Sequence, residues 1–324
     1  MFTTKELQEK VNRYIANWSY SHRPKGLYAP IEYVLSLGGK RLRPVLMLMA
    51  YNMYKEDVDA ILPSAVGLET YHNYTLLHDD LMDRADMRRN KPTVHKVWND
   101  NTAILSGDTM LVLAYQQMTQ SDSAHLKEVL DIFNKTALEI GEGQQYDMEF
   151  ETRDDVTEDE YIEMIRLKTS VLLAASLQIG AVLGNASAED ASRLYDYGIQ
   201  LGLAFQLQDD YLDVYGDEAQ FGKKIGGDIL CNKKTYMLIN AMLRADEQQS
   251  AELRHWIEAH DYVPTEKIRA VTALYDAIGI RELCDKKIAH YFDCAERILA
   301  QVQVDEERKQ MLRGYAASLM HRTV

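Results

Sequence analysis

The chain has 324 residues, 46% apolar and 27% charged, the composition of a globular protein able to bury a sizeable core. Its 50 acidic residues against 36 basic ones give a formal net charge of −14, which repels nucleic acid and anionic membrane surfaces. Cys231, Cys284 and Cys294 form no CxxC pair and no metal-ligand spacing, so they read as free thiols of a reducing, cytoplasmic compartment.

Residues 1–18 pattern as an amphipathic helix rather than as a basic-then-apolar signal peptide. Helical spacing of apolar residues recurs in Val45–Tyr54, Leu105–Met118, Leu126–Ile140, Tyr161–Leu183, Arg193–Tyr215 and Ala289–Val302. Breaks are predicted at Ser21–Pro30, Arg84–Thr93, Gln120–Ser123, Glu151–Glu158, Gly184–Glu189, Gly216–Lys234 and His260–Thr265. No proline lies between residues 93 and 263, so nothing of that kind interrupts the central helices. Met47, Met49 and Met53 read as core fillers, and Ser187 as the cap of a helix with an acidic first turn. The most apolar stretch, Val171–Gly184, is broken by Ser176 and Gln178 and falls short of the ~20 residues that span a bilayer. Strand signals are weak and no break resembles an interdomain linker, so a single all-α domain over residues 1–324 without a transmembrane segment is predicted.

One internal echo stands out. Asp79-Asp80-Leu-Met-Asp83 recurs in form as Asp209-Asp210-Tyr-Leu-Asp213, each on an otherwise apolar helical pattern. Residues i and i+4 share a helix face, so Asp79 with Asp83, and Asp209 with Asp213, project parallel carboxylates, with Asp80 and Asp210 to the side. Like charges at that spacing destabilise a helix by about 0.2–0.5 kcal/mol per pair, which calls for a compensating cation. Oxygen-only donors favour Mg²⁺, which bridges readily to substrate phosphates, and no EF-hand spacing argues for Ca²⁺. One such cluster among many acidic residues is often a solvated helix face; two on apolar helices weaken that reading.

Cations gather beside both clusters. Gly38-Gly39-Lys40-Arg41-Leu42-Arg43-Pro44 sets three cations next to a glycine pair. Arg88-Arg89-Asn90-Lys91-Pro92 follows the first cluster, and Lys223, Lys224, Lys233 and Lys234 follow the second, while Lys168-Thr169 interrupts an apolar helix. Arginine forks grip phosphate oxygens and lysine adds a point charge, so anions held through metal are indicated.

Taken together these residues resemble the trans-isoprenyl diphosphate synthase (polyprenyl synthetase) family: its two aspartate-rich motifs, its GGKRxRP motif, and in order Glu69-Thr-Tyr-His72, Gly107-Asp108, Gln144-x-x-Asp147, Lys168-Thr169, Phe205-Gln206, Gly222-Lys223 and Lys233-x-Thr235. The resemblance runs from about residue 30 to 240. It implies a bundle of long helices around a deep cavity with both aspartate motifs facing each other at its mouth, and a homodimer. It implies that Lys40, Arg43, His72 and Arg89 hold isopentenyl diphosphate, and that Arg88, Lys168, Lys223 and Lys233 hold an allylic diphosphate (dimethylallyl, geranyl or farnesyl). Thr169 and Gln206 would assist near the developing cation. Asp79, Asp83 and Asp209 would ligate three Mg²⁺ directly, with Asp80, Asp210 and Asp213 as water-mediated ligands or support. Asn90 and Asn232 stand where the family usually has glycine, and Met237 where proline is common.

Tyr74, five residues before the first motif, occupies the position at which an aromatic side chain closes the product tunnel in such enzymes. With Tyr71 and Thr75 it points to a geranylgeranyl or farnesyl product, a longer chain being the alternative. A class I terpene cyclase would need neither the second DDxxD nor an isopentenyl site, and a noncatalytic subunit would have lost aspartates or cations that are all present here.

Overall fold

The computed structural model describes residues 1–18, 23–217 and 225–320. The helices, in order, are α1 (Thr4–Asn17), α2 (Lys25–Ser36), α3 (Leu42–Asn52), α4 (Leu62–Met82), α5 (Val94–Val97), α6 (Asp100–Met118), α7 (Leu126–Phe150), α8 (Glu158–Ile165), α9 (Val171–Leu183) and α10 (Ala188–Tyr215). They continue as α11 (Gly227–Leu230), α12 (Tyr236–Arg244), α13 (Glu247–Glu258), α14 (Pro264–Ile278), α15 (Ile280–Gln301) and α16 (Glu306–Met320). A two-residue hairpin, β1 (Met87–Arg88) with β2 (Lys91–Pro92), is the one sheet among the described residues. The all-α reading therefore holds, with this hairpin as a local addition.

Local chemistry accounts for the helix ends. In α1 a capping box joins Thr3 and Glu6, each side chain accepting from the other's backbone N–H, and Leu7, Val11 and Ile15 form one buried stripe at four-residue spacing. Ser187 caps α10 as predicted, its Oγ accepting from the Asp190 N–H at 3.1 Å. One predicted break is corrected. Pro30 lies inside α2, where proline removes one backbone hydrogen bond, and the helix continues because Pro30, Ile31, Val34 and Leu35 are buried together.

Two compact units make up the chain. The first comprises Met1–Asn134, Ala175–Leu194 and Gln303–Leu312. Its centre is α3, almost wholly buried, in which Met47, Met49 and Met53 fill the core as predicted. Glycines set its close contacts. A Cβ on Gly180 would strike the Met47 carbonyl, and one on Gly67 would lie 3.0 Å from the Ala114 carbonyl, so α9 meets α3 and α4 meets α6 backbone to backbone.

The second unit comprises Lys135–Ala174, Tyr195–Val302 and Arg313–Val324, with a core built on Tyr161, Leu207, Met237, Leu253 and Ile280. Between α8 and α9 the chain forms one stretch of π-helix, Arg166–Ser170. The extra residue shifts the helical register and aims Lys168 and Thr169 differently from their neighbours. Two glycines bracket it: a Cβ on Gly143 would lie 2.8 Å from the Leu167 carbonyl carbon, and one on Gly202 would lie 2.6 Å from Ser170 Cα. Helix, π-turn and helix together, Glu158–Leu183, are long and apolar enough to cross a membrane, but 78% of the apolar window is buried within the protein.

Gly141 and Gly143 share α7, yet a Cβ on Gly141 would meet nothing within 4 Å. Gly143→Ala should destabilise the fold by about 1–3 kcal/mol through overpacking against the π-turn. Gly141→Ala should be neutral or stabilising by up to ~1 kcal/mol, because alanine relieves the helical cost of glycine. Urea unfolding of the two variants, side by side, measures the difference.

Candidate active site

Both acidic clusters occupy the last turns of long helices, Asp79–Asp83 at the end of α4 and Asp209–Asp213 near the end of α10. That is the negative pole of the helix dipole, so carboxylates there are opposed by the backbone as well as by one another. Within α4, Asp79 is half-buried and Asp83 exposed, while Asp80 points inward and is buried. Arg88, from the hairpin, answers the inward group. Its Nε donates to both Asp80 oxygens at 2.8 Å, and Nη2 reaches Asp79 at 3.4 Å. Burial nevertheless raises the Asp80 carboxyl to about 6, a shift that Arg88 opposes and that Asp79 and Asp83 increase.

The glycine-rich run takes its shape from the arginine that follows. Gly38 and Gly39 have φ of 72° and 124°, and a Cβ on Gly39 would lie 2.9 Å from the Arg89 guanidinium carbon. Arg89 Nη1 donates to the Gly38 carbonyl, so the turn and the hairpin are joined. Arg89 and Asn90, the hairpin tip, both have positive φ (51° and 59°). Asparagine tolerates that region better than other residues with side chains, which suits Asn90 to the tip.

The three cations of the run separate into different tasks. Lys40 is exposed. Arg41 is buried and pairs with Glu69 at 2.8 Å, with further bonds to Asn12 and the Leu35 carbonyl. This guanidinium ties α1, α2 and α4 to the turn and is used up in doing so. Arg43 lies 3.0 Å from His72, and its buried Nε has no partner. Burial first, then Arg89, lowers Arg43 to about 10 against the pull of Glu69. Because arginine only donates, His72 Nε2 must accept, which leaves the ring proton on Nδ1. Burial and the surrounding Arg43, Arg89, Arg88 and Arg41 hold His72 well below the ordinary histidine range, so it is neutral. Lys40, Arg43, His72, Arg88, Arg89 and the first aspartate cluster thus lie in the first unit.

Tyr71 is fully packed, its ring edge-on to Phe133 at 5.1 Å. Tyr74 is half-buried, tilted against Tyr71 at 5.5 Å and edge-on to His78 at 4.9 Å, and Thr75 Oγ1 donates back to the His72 carbonyl.

The second unit holds Lys168, Thr169, Gln206, Lys233 and the second aspartate cluster. Thr169 donates to Gln206 Oε1 at 3.0 Å, and Gln206 Nε2 donates to Asp210 at 3.0 Å. Tyr161, wholly buried, donates to the other Asp210 oxygen. Burial and Asp228 push Asp210 above the usual carboxylate range, against Lys233, Tyr161 and Gln206. Asp213 accepts from the Asp228 N–H at 2.9 Å and so pins the segment that leads to Lys233. Asp147, quoted above only as part of a motif, takes Lys168 at 2.6 Å. Burial raises its carboxyl, but Lys233 and Lys168 outweigh this and hold it below the ordinary value. Tyr161 and Asp147 are site residues that sequence spacing did not single out; their positions two turns before Lys168 and three residues after Gln144 were the available signals. Lys223 lies outside the described residues.

Among the described residues no three histidine, cysteine or acidic side chains form a preformed metal cage. Half-exposed carboxylates without nitrogen or sulfur donors fit Mg²⁺, which takes one or two carboxylates, keeps several waters and is completed by substrate phosphates.

The polyprenyl synthetase family matches residues 24–276. A geranylgeranyl diphosphate synthase of Methanosarcina mazei is 45% identical over 221 residues, 68% of this chain and 68% of its own. A crystal structure of a geranylgeranyl pyrophosphate synthase superposes with a TM-score of 0.95 at 41% identity over 100% of both chains. The chain belongs to the polyprenyl synthetase family. This polyprenyl synthetase is a trans-prenyltransferase with the family's all-α fold. A further relative, geranylgeranyl pyrophosphate synthase from Corynebacterium glutamicum, was solved complexed with isoprenyl diphosphate and magnesium. Its TM-score is 0.88 at 25% identity over 99% of this chain and 98% of that one.

The separation of Arg41 from Arg43 is testable. Arg41→Met leaves Glu69 buried and unpaired and should lower stability by about 3–5 kcal/mol, whereas Arg41→Met with Glu69→Leu should regain most of the loss. Chemical denaturation of both variants measures this.

Proposed function

We propose that this polyprenyl synthetase is a Mg²⁺-dependent cytoplasmic homodimer that condenses isopentenyl diphosphate with allylic diphosphates to geranylgeranyl or farnesyl diphosphate. The observation that carries the reading is the cage of Arg43, Arg88 and Arg89 around neutral His72 beside the first aspartate cluster, in a chain of net charge −14. A cage so cationic within an acidic protein suits a polyanion.

In this reading Arg43, with its unpartnered Nε, and Arg89 grip isopentenyl diphosphate together with Lys40, and His72 adds a hydrogen bond without further charge. Arg88, Lys168, Lys223 and Lys233 hold the allylic diphosphate, and Asp147 keeps Lys168 extended. Asp79, Asp83 and Asp209 would hold three Mg²⁺ directly, with Asp80, Asp210 and Asp213 behind them. Bound Mg²⁺ supplies charge neutralisation of the leaving diphosphate. The allylic C–O bond breaks with its electron pair leaving on diphosphate. The isopentenyl double bond then forms the new C–C bond, and loss of a proton restores a double bond. Thr169 and Gln206, fixed in one orientation through Asp210, present oxygen lone pairs towards the developing cation. Three free cysteines suit a reducing compartment. Exposed Leu105 and Val112 on α6, and exposed Leu138 on α7, offer apolar faces to a second copy.

Pure protein with Mg²⁺, isopentenyl diphosphate and each allylic primer in turn should yield products of up to geranylgeranyl length, resolved by chromatography. Absence of metal-dependent condensation with every primer refutes the reading. For chain length, Tyr74 is the half-buried ring and Tyr71 the packed one, so Tyr74→Ala should lengthen the product by at least one isoprene unit. An unchanged product profile removes Tyr74 from that role.

A further inference from the structure

The segment from Gly226 to Thr235 carries Lys233 and is bonded to Asp213 through the Gly226 and Asp228 N–H groups, and it rests on α14, a helix in which the sequence shows no catalytic motif. Three contacts seat it. Gly226, at φ 83°, lies so close to Ile268 that a Cβ would approach its side chain to 2.6 Å. Tyr262, just before α14, donates to the Leu230 carbonyl at 3.3 Å. Lys267 Nζ donates to Asn232 Oδ1 at 2.7 Å, and Asn232 Nδ2 donates to the Ile257 carbonyl at 2.9 Å.

The third contact depends on the side chain at position 232. Asn232 has a φ of 53°, one that glycine or asparagine adopts readily. Glycine would serve the backbone equally well but would leave both bonds unmade. Lys267 is only 1% exposed, its ammonium sits 4.5 Å above the Tyr262 ring, and burial lowers it below the ordinary lysine range. Among the described residues this buried ammonium has no carboxylate partner, so it depends on such neutral acceptors. Asn232 therefore meets a need of Lys267, and Lys267 in return fixes the residue next to Lys233, whose own N–H is held by the Asp228 carbonyl at 2.9 Å.

We infer that Lys267, acting through the side chain of Asn232, is a positioning residue that holds Lys233 in place for the allylic diphosphate. The inference rests on the reading of Lys233 given above. Wild-type turnover and its inhibition by inorganic pyrophosphate test that reading first; without turnover the reading itself fails. With turnover present, Lys267→Met should raise KM for the allylic diphosphate roughly three- to tenfold, the weight of one lost hydrogen bond, and Asn232→Gly, which loses two, at least as much, with kcat changed much less. Inhibition by pyrophosphate should weaken in parallel. The double variant should be no worse than Asn232→Gly alone, because that change already removes the bond to Lys267. Asn232→Asp keeps the tolerated backbone and an acceptor for Lys267 but loses the donor to the Ile257 carbonyl, so its KM should lie between those of the wild type and Asn232→Gly. Should Asn232→Gly fail to fold, Lys267→Met and Asn232→Asp carry the comparison. A lowered melting temperature with unchanged KM in the variants, or effects that multiply in the double variant, overturns the inference.

Discussion

Crowded carboxylates at the negative ends of α4 and α10 are the constraint to which the rest of the protein answers. Two unfavourable terms coincide there, repulsion between neighbouring acids and opposition from the helix dipole. In each unit the inward aspartate is relieved by a hydrogen-bond donor from a separate element, with Gln206 of α10 itself adding a second bond in the second unit. Arg88 of the hairpin serves Asp80, and Tyr161 of α8 with Gln206 serves Asp210. The outward members, Asp79 with Asp83 and Asp209 with Asp213, stay more open. The division follows from helix geometry, since a residue one position on from an exposed one turns towards the core and must find a partner or be neutralised. Electrostatic tension is thus concentrated on the outward carboxylates, where a divalent ion can discharge it.

The cations show the same economy in reverse. A basic residue close to the site is least available to a substrate when each of its nitrogens is bonded within a buried part of the fold. Arg41 is consumed by Glu69, Asn12 and Leu35, whereas Arg43, two residues later, keeps a buried Nε with no partner. Helical α3 begins between them, so the two side chains leave the backbone in different directions, one towards α1 and α2 and the other towards His72. Arg41 itself is in the left-handed region (φ 51°), a strained conformation held by its buried ion pair.

Much of this was legible in the sequence, for reasons that can be named. Helices were legible because burial on one face writes a period into the apolar residues, as in Leu7, Val11 and Ile15. The acidic and basic motifs were legible because their chemistry depends on spacing within one segment. What escaped notice depends on partners far along the chain. Nothing near Arg41 announces Glu69, and nothing near Lys168 announces Asp147, 21 residues earlier. The π-turn at Arg166–Ser170 has ordinary helix-forming residues and is set by its glycine neighbours on α7 and α10, so no local pattern betrays it. Pro30 misled in the opposite sense, because a local breaker was overruled by burial.

Two asparagines at positive φ, Asn90 and Asn232, show how one residue type in one backbone conformation acquires different meanings. Asn90 sits at the exposed tip of the hairpin, where positive φ is the whole requirement. Asn232 meets the same backbone requirement at a half-buried position where two polar groups, the Lys267 ammonium and the Ile257 carbonyl, come within bonding distance of its amide. A buried lysine would be a liability beside glycine and becomes a support beside asparagine. The residue at 232 and the residue at 267 therefore constrain each other, although 35 positions separate them. Such coupling gives the helices beyond the last recognisable motif a reason to keep particular polar side chains.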